Sequence, residues 1–454
     1  MFLKYIYIKD YKKFKNFELN ITPGHGFSRE YRDYYGNMNV STLVGENGVG
    51  KTTLLSFIVQ LFHFLERNQE KIESDFKITY EIRLDGLNKE VRIRKEERNI
   101  FIKIPDNDQE FLLLEWKHLR RGEGVSKRKP YQIEIDRPEI TYDEVKPYLP
   151  NNIITSVFSL HSEYVGQWSD RYYGDKIIRS YDITSVYGSD HFNGSPLSRG
   201  IARFIYLYLT EKEIMVNLLD NLNLEIAPFV KVYFERNINY REETFVRLNL
   251  ESGWVELEEI NKGIPSDEFL NMLVKAELND DIYINDIAFF KGEYVIDLET
   301  MSSGEKMFFY RIFSILSAIE HNSLIIIEEP ELHLNPSWTK QIITMFYLLF
   351  NTYNAHFMIA THSYSFINTL FPENILLFKQ DSVTHPSFNT FLSNEKEITS
   401  KLFNSSKKLN YTEEKLLSKI KESSDANELN QIMDYLGESF YKFMIFNELQ
   451  DSED

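Results

Sequence analysis

The feature that most constrains this chain is the glycine-rich stretch at residues 45–52, which reads Gly-Glu-Asn-Gly-Val-Gly-Lys-Thr. It matches the pattern G-x-x-x-x-G-K-[ST] without a mismatch, an apolar run precedes it at residues 40–44, and a helix-like sequence follows. In a strand–turn–helix unit of this kind, backbone N–H groups wrap around a phosphate at the positive end of the helix dipole. The stretch therefore predicts a nucleotide-phosphate site, and the alternative is a glycine-rich turn that matches by chance.

The residue types in this stretch suit ATP and Mg²⁺. Lys51 is expected to reach the β- and γ-phosphates, and the hydroxyl of Thr52 is expected to bind Mg²⁺. The full set expected to bind the nucleotide here is Gly45, Asn47, Gly48, Gly50, Lys51, Thr52 and Thr53.

Composition excludes several classes of protein. The 454 residues include no cysteine, which rules out disulfides and cysteine-based metal sites. A formal net charge of −18 argues against a surface devoted to nucleic acid. No apolar run approaches the roughly 18–20 residues that span a bilayer, and the first residues lack a signal-peptide cleavage pattern. We therefore expect a cytoplasmic protein with no membrane partner.

Two kinds of strand pattern alternate with helix patterns along the chain. Antiparallel, hairpin-like runs are expected at 2–8, 15–21, 76–84, 90–95 and 99–104. Short runs that read as buried strands, and that suit a parallel sheet covered on both faces, occur at 153–159, 324–327, 357–360 and 375–378. Further strands are expected at 229–234, 244–250 and 294–298, and helices at 52–68, 198–222, 266–277, 303–320 and 337–350.

These patterns predict an α/β P-loop NTPase fold, with a mostly parallel core sheet, an antiparallel β-lobe, a helical insert and a helical C-terminal segment. We expect residues 1–115 to hold the β-lobe and P-loop and residues 116–293 to form an insert of mixed helix and strand. Residues 294–385 should complete the ATPase head, and residues 386–454 should form a helical interaction segment.

Two acids end the apolar run at 324–327. Glu328 and Glu329 would lie at the carboxyl edge of a parallel sheet, where the P-loop also opens. Glu328 is expected to hold Mg²⁺ through water, and Glu329 is expected to orient and polarise the attacking water. The alternative is a pair of solvated acids at a strand end.

Two more stretches suit phosphate chemistry. Ser302 and Gly304, within Met-Ser-Ser-Gly-Glu, open a predicted helix and could form a second phosphate cradle, although the same residues suit an ordinary N-cap. His362 directly follows the apolar run at 357–360, where a histidine is otherwise a structural residue.

In combination, these stretches resemble ABC-type ATPases of the SMC/RecF/OLD branch. Residues 302–305, Ser-Ser-Gly-Glu, are similar to the signature motif Leu-Ser-Gly-Gly-Gln. Residues 328–336, Glu-Glu-Pro-Glu-Leu-His-Leu-Asn-Pro, resemble the run Asp-Glu-Pro-Glu-x-His-Leu-His-Pro of RecF-like and OLD-like ATPases. The resemblance covers residues 1–70 and 294–378 well and the middle of the chain poorly.

The resemblance implies roles for these residues. His362 would be the switch histidine that reaches the γ-phosphate and the catalytic water, and Asn335 would lie at the D-loop position that crosses a dimer interface. Ser302 and Gly304 would cover the γ-phosphate held by another protomer. The implied assembly is a head-to-tail dimer, or a higher oligomer, with ATP between the chains.

The chain departs from the family pattern at three positions. Glu328 stands where aspartate is usual, and Glu305 stands where glutamine is usual. No residue is a clear match for the Q-loop glutamine, and Ser159, His161 and Ser162 stand at its expected position after the strand at 153–159.

The narrower resemblance is to the ATPase subunits of Septu-type bacterial anti-phage defence systems, through the compact insert and Leu-Gly-Glu-Ser-Phe at 436–440. It implies an oligomeric ATPase switch that controls a separate nuclease. The amphipathic segment 429–449 is a candidate contact for that nuclease, although a helix that packs on its own domain would look the same.

Two other functions fit parts of the sequence. A RecF/SMC-like DNA-repair ATPase would bind duplex DNA through the basic cluster at 117–129. The alternative, and the commoner role of a charge run, is a solvated loop or a surface for an acidic partner. That cluster comprises Lys117, Arg120, Arg121, Lys127, Arg128 and Lys129. The ATPase subunit of a transporter is a third possibility, against which the long insert and the run at 331–336 argue.

Overall fold

The computed structural model of the chain describes residues 1–23, 34–36, 38–118, 124–127, 137–157, 164, 196–234, 253–256, 268, 282–379, 382–402, 411–422, 426–437 and 440–451. It divides into two compact units, Met1–Glu395 and Lys396–Asp454. No helix in the described part of the chain combines the length and apolar character needed to cross a bilayer.

The strands and helices follow in chain order. The described strands are β1 (Phe2–Tyr11), β2 (Phe14–Asn20), β3 (Asn39–Gly45), β4 (Phe76–Leu84), β5 (Leu87–Glu96), β6 (Asn99–Lys103), β7 (Phe111–Leu113), β8 (Glu115–His118), β9 (Gly124–Lys127), β10 (Glu139–Ile140), β11 (Ile153–Ser156), β12 (Glu225–Phe234), β13 (Gly253–Glu256), β14 (Ile282–Lys291), β15 (Tyr294–Asp297), β16 (Leu324–Glu328), β17 (His356–Thr361), β18 (Ile375–Phe378) and β19 (Val383–Thr384). The described α-helices are α1 (Lys51–Arg67), α2 (Tyr142–Val145), α3 (Pro196–Thr210), α4 (Lys212–Asp220), α5 (Ser303–Ala318), α6 (Pro336–Phe350), α7 (Tyr364–Ile367), α8 (Glu395–Leu402), α9 (Tyr411–Glu422), α10 (Ala426–Tyr435) and α11 (Phe440–Asp451).

The core sheet has the spatial order β11-β16-β17-β3-β18-β19. All of its pairings are parallel except that of β18 with β19. Strand β17 is buried at every position, β16 at every position except Glu328 and β3 at every position except Asn39, because helices cover both faces of a parallel sheet. The predicted α/β fold with a parallel core sheet is therefore confirmed, and β3 and β16 open at the same carboxyl edge.

A second sheet forms the β-lobe, in the order β10-β7-β6-β5-β4-β1-β2. Its pairings are antiparallel except that of β10 with β7. Residues alternate between buried and exposed along β4, as expected where one face of a sheet packs on a core and the other meets water. This confirms the predicted β-lobe, with strand ends within a few residues of those expected.

A buried histidine joins the β-lobe to the core sheet. Nδ1 of His356 accepts a hydrogen bond from the backbone N–H of Leu3 (3.1 Å), and its Nε2 lies 2.9 Å from Oγ of Ser41. Burial lowers the pKa of His356 to about 3, so the ring stays neutral. A neutral ring that serves as an acceptor on one nitrogen and a hydrogen-bond partner on the other fixes β1 against the end of β17.

A third sheet, in the order β13-β12-β14-β15, leads into α5. Helix α3 packs on α5 so closely that a Cβ at Gly200 would lie 2.0 Å from the carbonyl oxygen of Phe313. Only glycine permits that approach. The close packing of the two helices places α5 between α3 and the core sheet.

Several sequence-based predictions need correction. The helix expected at 198–222 is interrupted at Glu211 and forms α3 and α4. Strand β14 was not predicted at all, although it is central to the third sheet. The strand expected at 244–250 lies outside the described residues, as does the helix expected at 266–277 apart from Glu268.

The C-terminal unit contains its own small apolar core. The buried side chains of this core are Ile420, Leu429, Ile432 and Ile445. The amphipathic segment at 429–449 therefore buries part of its apolar surface within its own unit. The segment lies on two helices, α10 and α11. Two aromatic side chains of α11, Phe443 and Phe446, stay 59% and 49% exposed.

Candidate active site

The turn between β3 and α1 has the backbone that a phosphate cradle needs. Gly48 and Gly50 adopt positive φ angles of 78° and 113°. Glycine adopts these angles without steric cost. At Gly50, which caps α1, a Cβ would also lie 2.3 Å from Cε of Lys13. The predicted glycine turn is therefore present and leads directly into a long helix.

Lys51 lies folded back into this turn. The residue is only 8% exposed, and its Nζ donates to the carbonyl oxygens of Gly45 (2.8 Å) and Glu46 (3.0 Å). Burial lowers the pKa of Lys51 to about 8, against the raising effect of the carboxylates of Glu328 and Glu329. An ammonium group held at the turn in this way is placed to meet an anion that enters it.

A cavity of about 340 Å³ opens beside the turn. The described residues that line it are Lys13, Asn47, Gly48, Gly50, Lys51, Thr52, Thr53, Glu328, Glu329, Ala360 and His362. Most of the predicted site residues thus meet at one place, although they come from both ends of the chain. Gly45 contributes through its carbonyl oxygen, which Lys51 contacts.

The residues of the cavity fit ATP and Mg²⁺. The glycine turn and Lys51 present backbone N–H groups and an ammonium group, which suit phosphate oxygens. Thr52 and Glu328 supply a hydroxyl and a carboxylate, which are the hard oxygen ligands that Mg²⁺ prefers.

Glu328 occupies the buried end of the cavity. Its carboxylate accepts hydrogen bonds from the hydroxyls of Thr52 and of Tyr164, with 2.9 Å between Oε1 and the Tyr164 oxygen. Burial raises the pKa of Glu328, while the two hydroxyl hydrogen bonds act to lower it. The geometry therefore brings the P-loop threonine and the first acid into contact, as the sequence predicts for a shared metal site.

Glu329 is exposed to the cavity and has a strained backbone. Its φ of 45° places it in the left-handed region, which costs a non-glycine residue on the order of 1–3 kcal/mol. Its backbone N–H donates to the carbonyl oxygen of Ala360 (2.8 Å) in the neighbouring strand. Strain of this kind persists only where the surrounding structure enforces it.

His362 lies at the end of β17, beside the two acids. Burial, and then the positive charge of Lys51, lower the pKa of His362, so its ring is neutral near pH 7. Oε1 of Glu331 holds this segment by accepting from the hydroxyl of Thr361 (2.6 Å) and from the backbone N–H groups of Ser363 (3.1 Å) and His362 (3.3 Å).

The signature-like residues are placed differently. Ser302 caps α5 in a reciprocal capping box with Glu305, whose carboxylate also accepts from Lys291. Gly304 packs against the loop after β16, where a Cβ would lie 2.3 Å from the carbonyl oxygen of His333. Ser302 and Gly304 are not among the described residues that line the cavity.

Asn335 caps the next helix. Its Oδ1 accepts from the backbone N–H of Trp338 at 2.9 Å, at the start of α6. It too is absent from the described lining of the cavity.

Sequence reasoning missed three residues around this site. Lys13, in the turn between β1 and β2, donates through Nζ to the carbonyl oxygen of Gly48 and lines the cavity. Tyr164 contacts Glu328, and Glu331 organises the segment of His362. The basic character of residues 12–13 was a visible signal for Lys13, whereas nothing in the sequence pairs Tyr164 with Glu328.

Two predicted features fall largely outside the described residues. The Q-loop positions Ser159, His161 and Ser162 lie there. Of the basic cluster, only the backbone strands that contain Lys117 and Lys127 are described.

Two family models match the chain. One, described as "AAA ATPase domain", covers residues 1–123. The other, described as "AAA domain, putative AbiEii toxin, Type IV TA system", covers residues 188–368. These matches include the P-loop and the acid pair respectively, and the chain is an ATPase.

Similarity to individual proteins is weaker. The "Retron Vc95 probable ATPase" of Vibrio cholerae serotype O1 biovar El Tor is 21% identical, over 91% of this chain and 81% of that protein. Among solved structures, an SMC head bound to the C-terminal winged-helix domain of ScpA is 15% identical, covers 88% of this chain and all of its own, and has a TM-score of 0.37. The SMC head domain from Thermotoga maritima is 14% identical, with 86% and 100% covered and a TM-score of 0.36.

Proposed function

We propose that this ATPase is a nucleotide-gated switch, in which copies of the chain close head-to-tail around ATP and thereby control a separate effector. The observation that carries the proposal is the division of the phosphate-binding residues. The P-loop, both acids and His362 share one cavity, whereas Ser302 and Gly304 are not among its described lining residues. A second chain is a natural source of the missing half.

The first group of residues binds the nucleotide and its metal. ATP supplies the γ-phosphoryl group when bound, and Mg²⁺ offsets its charge. Lys51 leaves the carbonyl oxygens of Gly45 and Glu46 for the β- and γ-phosphates. The Thr52 hydroxyl, which donates to Glu328, would offer its oxygen to Mg²⁺, and Glu328 would hold Mg²⁺ through water.

The second group acts on the attacking water. Glu329, fixed in its strained conformation at the rim of the cavity, orients that water and accepts its proton. His362 is neutral near pH 7, so its ring can both accept from the water side and donate to the γ-phosphate side. The proposed catalytic residues are therefore Glu329 and His362.

Closure uses residues of the second chain. The N-terminus of α5, which carries Ser302 and Gly304, would face the γ-phosphate of the facing chain, because the backbone N–H groups at a helix N-terminus bind anions. Asn335 lies on the same loop as His333, which Gly304 contacts, so it would reach the interface with them. ATP then favours the closed assembly because it contacts both chains, and hydrolysis removes that preference.

The test is the mass of the purified protein with and without ATP–Mg²⁺. Glu329→Gln should bind ATP, lose turnover and gain a stable ATP-dependent oligomer. Adding Ser302→Arg should abolish the mass increase while ATP still binds each chain. Thr141→Arg is the matched control, because Thr141 caps α2 in the same kind of capping box away from the cavity.

Either of two results would remove the proposal. One is turnover near the wild-type rate in Glu329→Gln, which would leave Glu329 without its catalytic role. The other is a mass that does not respond to ATP in any variant, which would leave no switch.

The effector in our proposal is a separate nuclease in bacterial anti-phage defence. The resemblance to Septu-type ATPase subunits supports this, as do the names of a retron ATPase and of a toxin–antitoxin family among the matches. The exposed aromatic side chains of Phe443 and Phe446 on α11 are a candidate contact for such a partner.

Purification together with the products of neighbouring genes tests the effector. A nuclease that copurifies, and that is lost when Phe443 and Phe446 are replaced by serine, would support the defence role. A lone dimer that binds duplex DNA would favour the DNA-repair alternative, and charge reversal of Lys127, Arg128 and Lys129 should then flatten the salt dependence of binding.

A further inference from the structure

Helix α5 carries a buried arginine that reaches the catalytic loop. Arg311 is 3% exposed, and burial lowers its pKa to about 9, so it remains charged at pH 7. Its Nη1 donates to the carbonyl oxygen of Pro330 (2.7 Å), and its Nη2 lies within reach of the carbonyl oxygens of Glu328 (3.3 Å) and Glu329 (3.4 Å). A single guanidinium therefore holds three consecutive backbone carbonyls at the end of β16.

The orientation of this guanidinium is fixed from the other side. Nε of Arg311 donates to Oγ of Ser156 at 2.9 Å, in β11, the strand that pairs with β16. The negative charges of Glu331 and Glu329 favour its charged form. Arg311 thus joins α5 to two strands of the core sheet at the point where Glu329 leaves it.

The same helix contacts the same loop at a second place. Gly304, in the first turn of α5, packs against the carbonyl oxygen of His333, and Arg311 follows it on the same helix. The loop from Glu328 to His333 is therefore held at both of its ends by α5. A displacement of the N-terminus of α5 would be transmitted to the backbone of Glu329.

We propose that Arg311 is a positioning residue for hydrolysis: its guanidinium holds the backbone of Glu329 in its left-handed conformation and so couples the signature end of α5 to the catalytic carboxylate. The inference rests on the proposed role of Glu329. Lysine could not replace it, because an ammonium group lacks the planar fork that spans several acceptors.

The test compares the buried Arg311 with Arg203, a half-buried arginine that also donates to backbone carbonyl oxygens. Arg311→Lys is the test variant. Arg203→Lys is the matched control, because Nη1 of Arg203 donates to the carbonyl oxygens of Leu316 (2.7 Å) and Ile319 (3.0 Å) at the far end of α5. For each we would measure thermal unfolding, ATP affinity, kcat and KM, and hydrogen exchange of the Glu329 amide.

We expect Arg311→Lys to lower kcat by about 10- to 100-fold, the loss typical of a misplaced catalytic group, with KM within about threefold of wild type. Exchange at the Glu329 amide, which donates to Ala360, should accelerate. Arg203→Lys should leave kcat and that amide unchanged. Equal effects of the two variants on kcat, KM and exchange would overturn the proposal.

A second variant, Ser156→Ala, tests the proposal if Arg311→Lys fails to fold. Ser156→Ala removes only the group that orients Nε, and we expect it to lower kcat by a few-fold in the same direction; unchanged kcat and unchanged exchange at Glu329 would also count against the proposal. The Glu329→Gln enzyme distinguishes a failure of the catalytic role of Glu329 from a failure of the positioning role of Arg311. If that enzyme turns over normally, the catalytic assignment fails, whatever Arg311 does to the exchange of the amide.

Discussion

The phenolic oxygen of Tyr164 lies 2.9 Å from Oε1 of Glu328, and its hydroxyl donates to that carboxylate. Tyr164 follows β11 in the chain, and only 8% of its surface is exposed. The resemblance places a glutamine loop after β11, at positions that Ser159, His161 and Ser162 occupy in this chain. A tyrosine hydroxyl thus contacts the acid proposed to hold the metal.

Replacing this tyrosine should weaken the response to Mg²⁺. A group that orients a metal-binding carboxylate typically contributes 10- to 100-fold to metal affinity or activity. We expect Tyr164→Phe to raise the Mg²⁺ concentration for half-maximal ATPase rate by about tenfold. Tyr11→Phe is the control, because its hydroxyl donates to Gln60 on α1 at 3.1 Å. An unchanged Mg²⁺ titration would contradict this role.

ATP affinity should depend on pH through Lys51. Burial lowers its pKa to about 8 in the nucleotide-free protein, so the ammonium loses its proton as pH rises through that value. Since phosphates favour the charged form, affinity should fall about tenfold between pH 7 and pH 9. Calorimetric titration at constant ionic strength measures this. Lys51→Arg, which stays charged, should flatten the dependence, and a flat wild-type profile would contradict the assignment.

Lys13 should contribute to nucleotide binding rather than to turnover. It lines the cavity and contacts the carbonyl oxygen of Gly48, and burial lowers its pKa. We expect Lys13→Met to raise KM for ATP by about two- to fivefold, the range of an exposed charge–charge contact, with kcat nearly unchanged. Lys12→Met is the control, because the Lys12 ammonium lies 5.5 Å from the Tyr11 ring instead. Equal KM values for the two variants would refute the prediction.

Glu331 should affect both stability and turnover. It accepts three hydrogen bonds from residues 361–363, and an amide oxygen is a weaker acceptor than a carboxylate. We expect Glu331→Gln to lower the free energy of unfolding by about 1–3 kcal/mol and to lower kcat about tenfold through misplacement of His362. In Glu144→Gln, which also loses a carboxylate that accepts from a threonine, only stability should fall. A normal kcat in Glu331→Gln would exclude the link to His362.

Much of the fold followed from local patterns. Strands of the antiparallel β-lobe alternate apolar and polar residues, whereas strands of the parallel core sheet are mostly apolar runs without alternation. Each pattern is visible within a few residues of sequence. Errors arose where the patterns were weak. A single residue, Glu211, separates α3 from α4, and its neighbours have helical composition on both sides. Strand β14 has few alternating positions, and its place is set by pairing with β12 and β15.

The sequence by itself determined the chemistry of the nucleotide site. The glycine turn, Lys51 and Thr52 occupy consecutive positions, and the acid pair directly follows an apolar strand, so each unit is defined by covalent neighbours. A parallel sheet then brings the units together, because its strands all end at one edge.

Tertiary structure alone decided which side chains support that chemistry. Tyr164 meets Glu328 across 164 positions, and Arg311 meets Ser156 across 155. Contacts at such separations leave no period or motif in the sequence, since they depend on which helix and strand pack side by side. The physical reason is that a buried carbonyl or carboxylate needs a partner, and only the packed fold determines which residue is near enough to supply it.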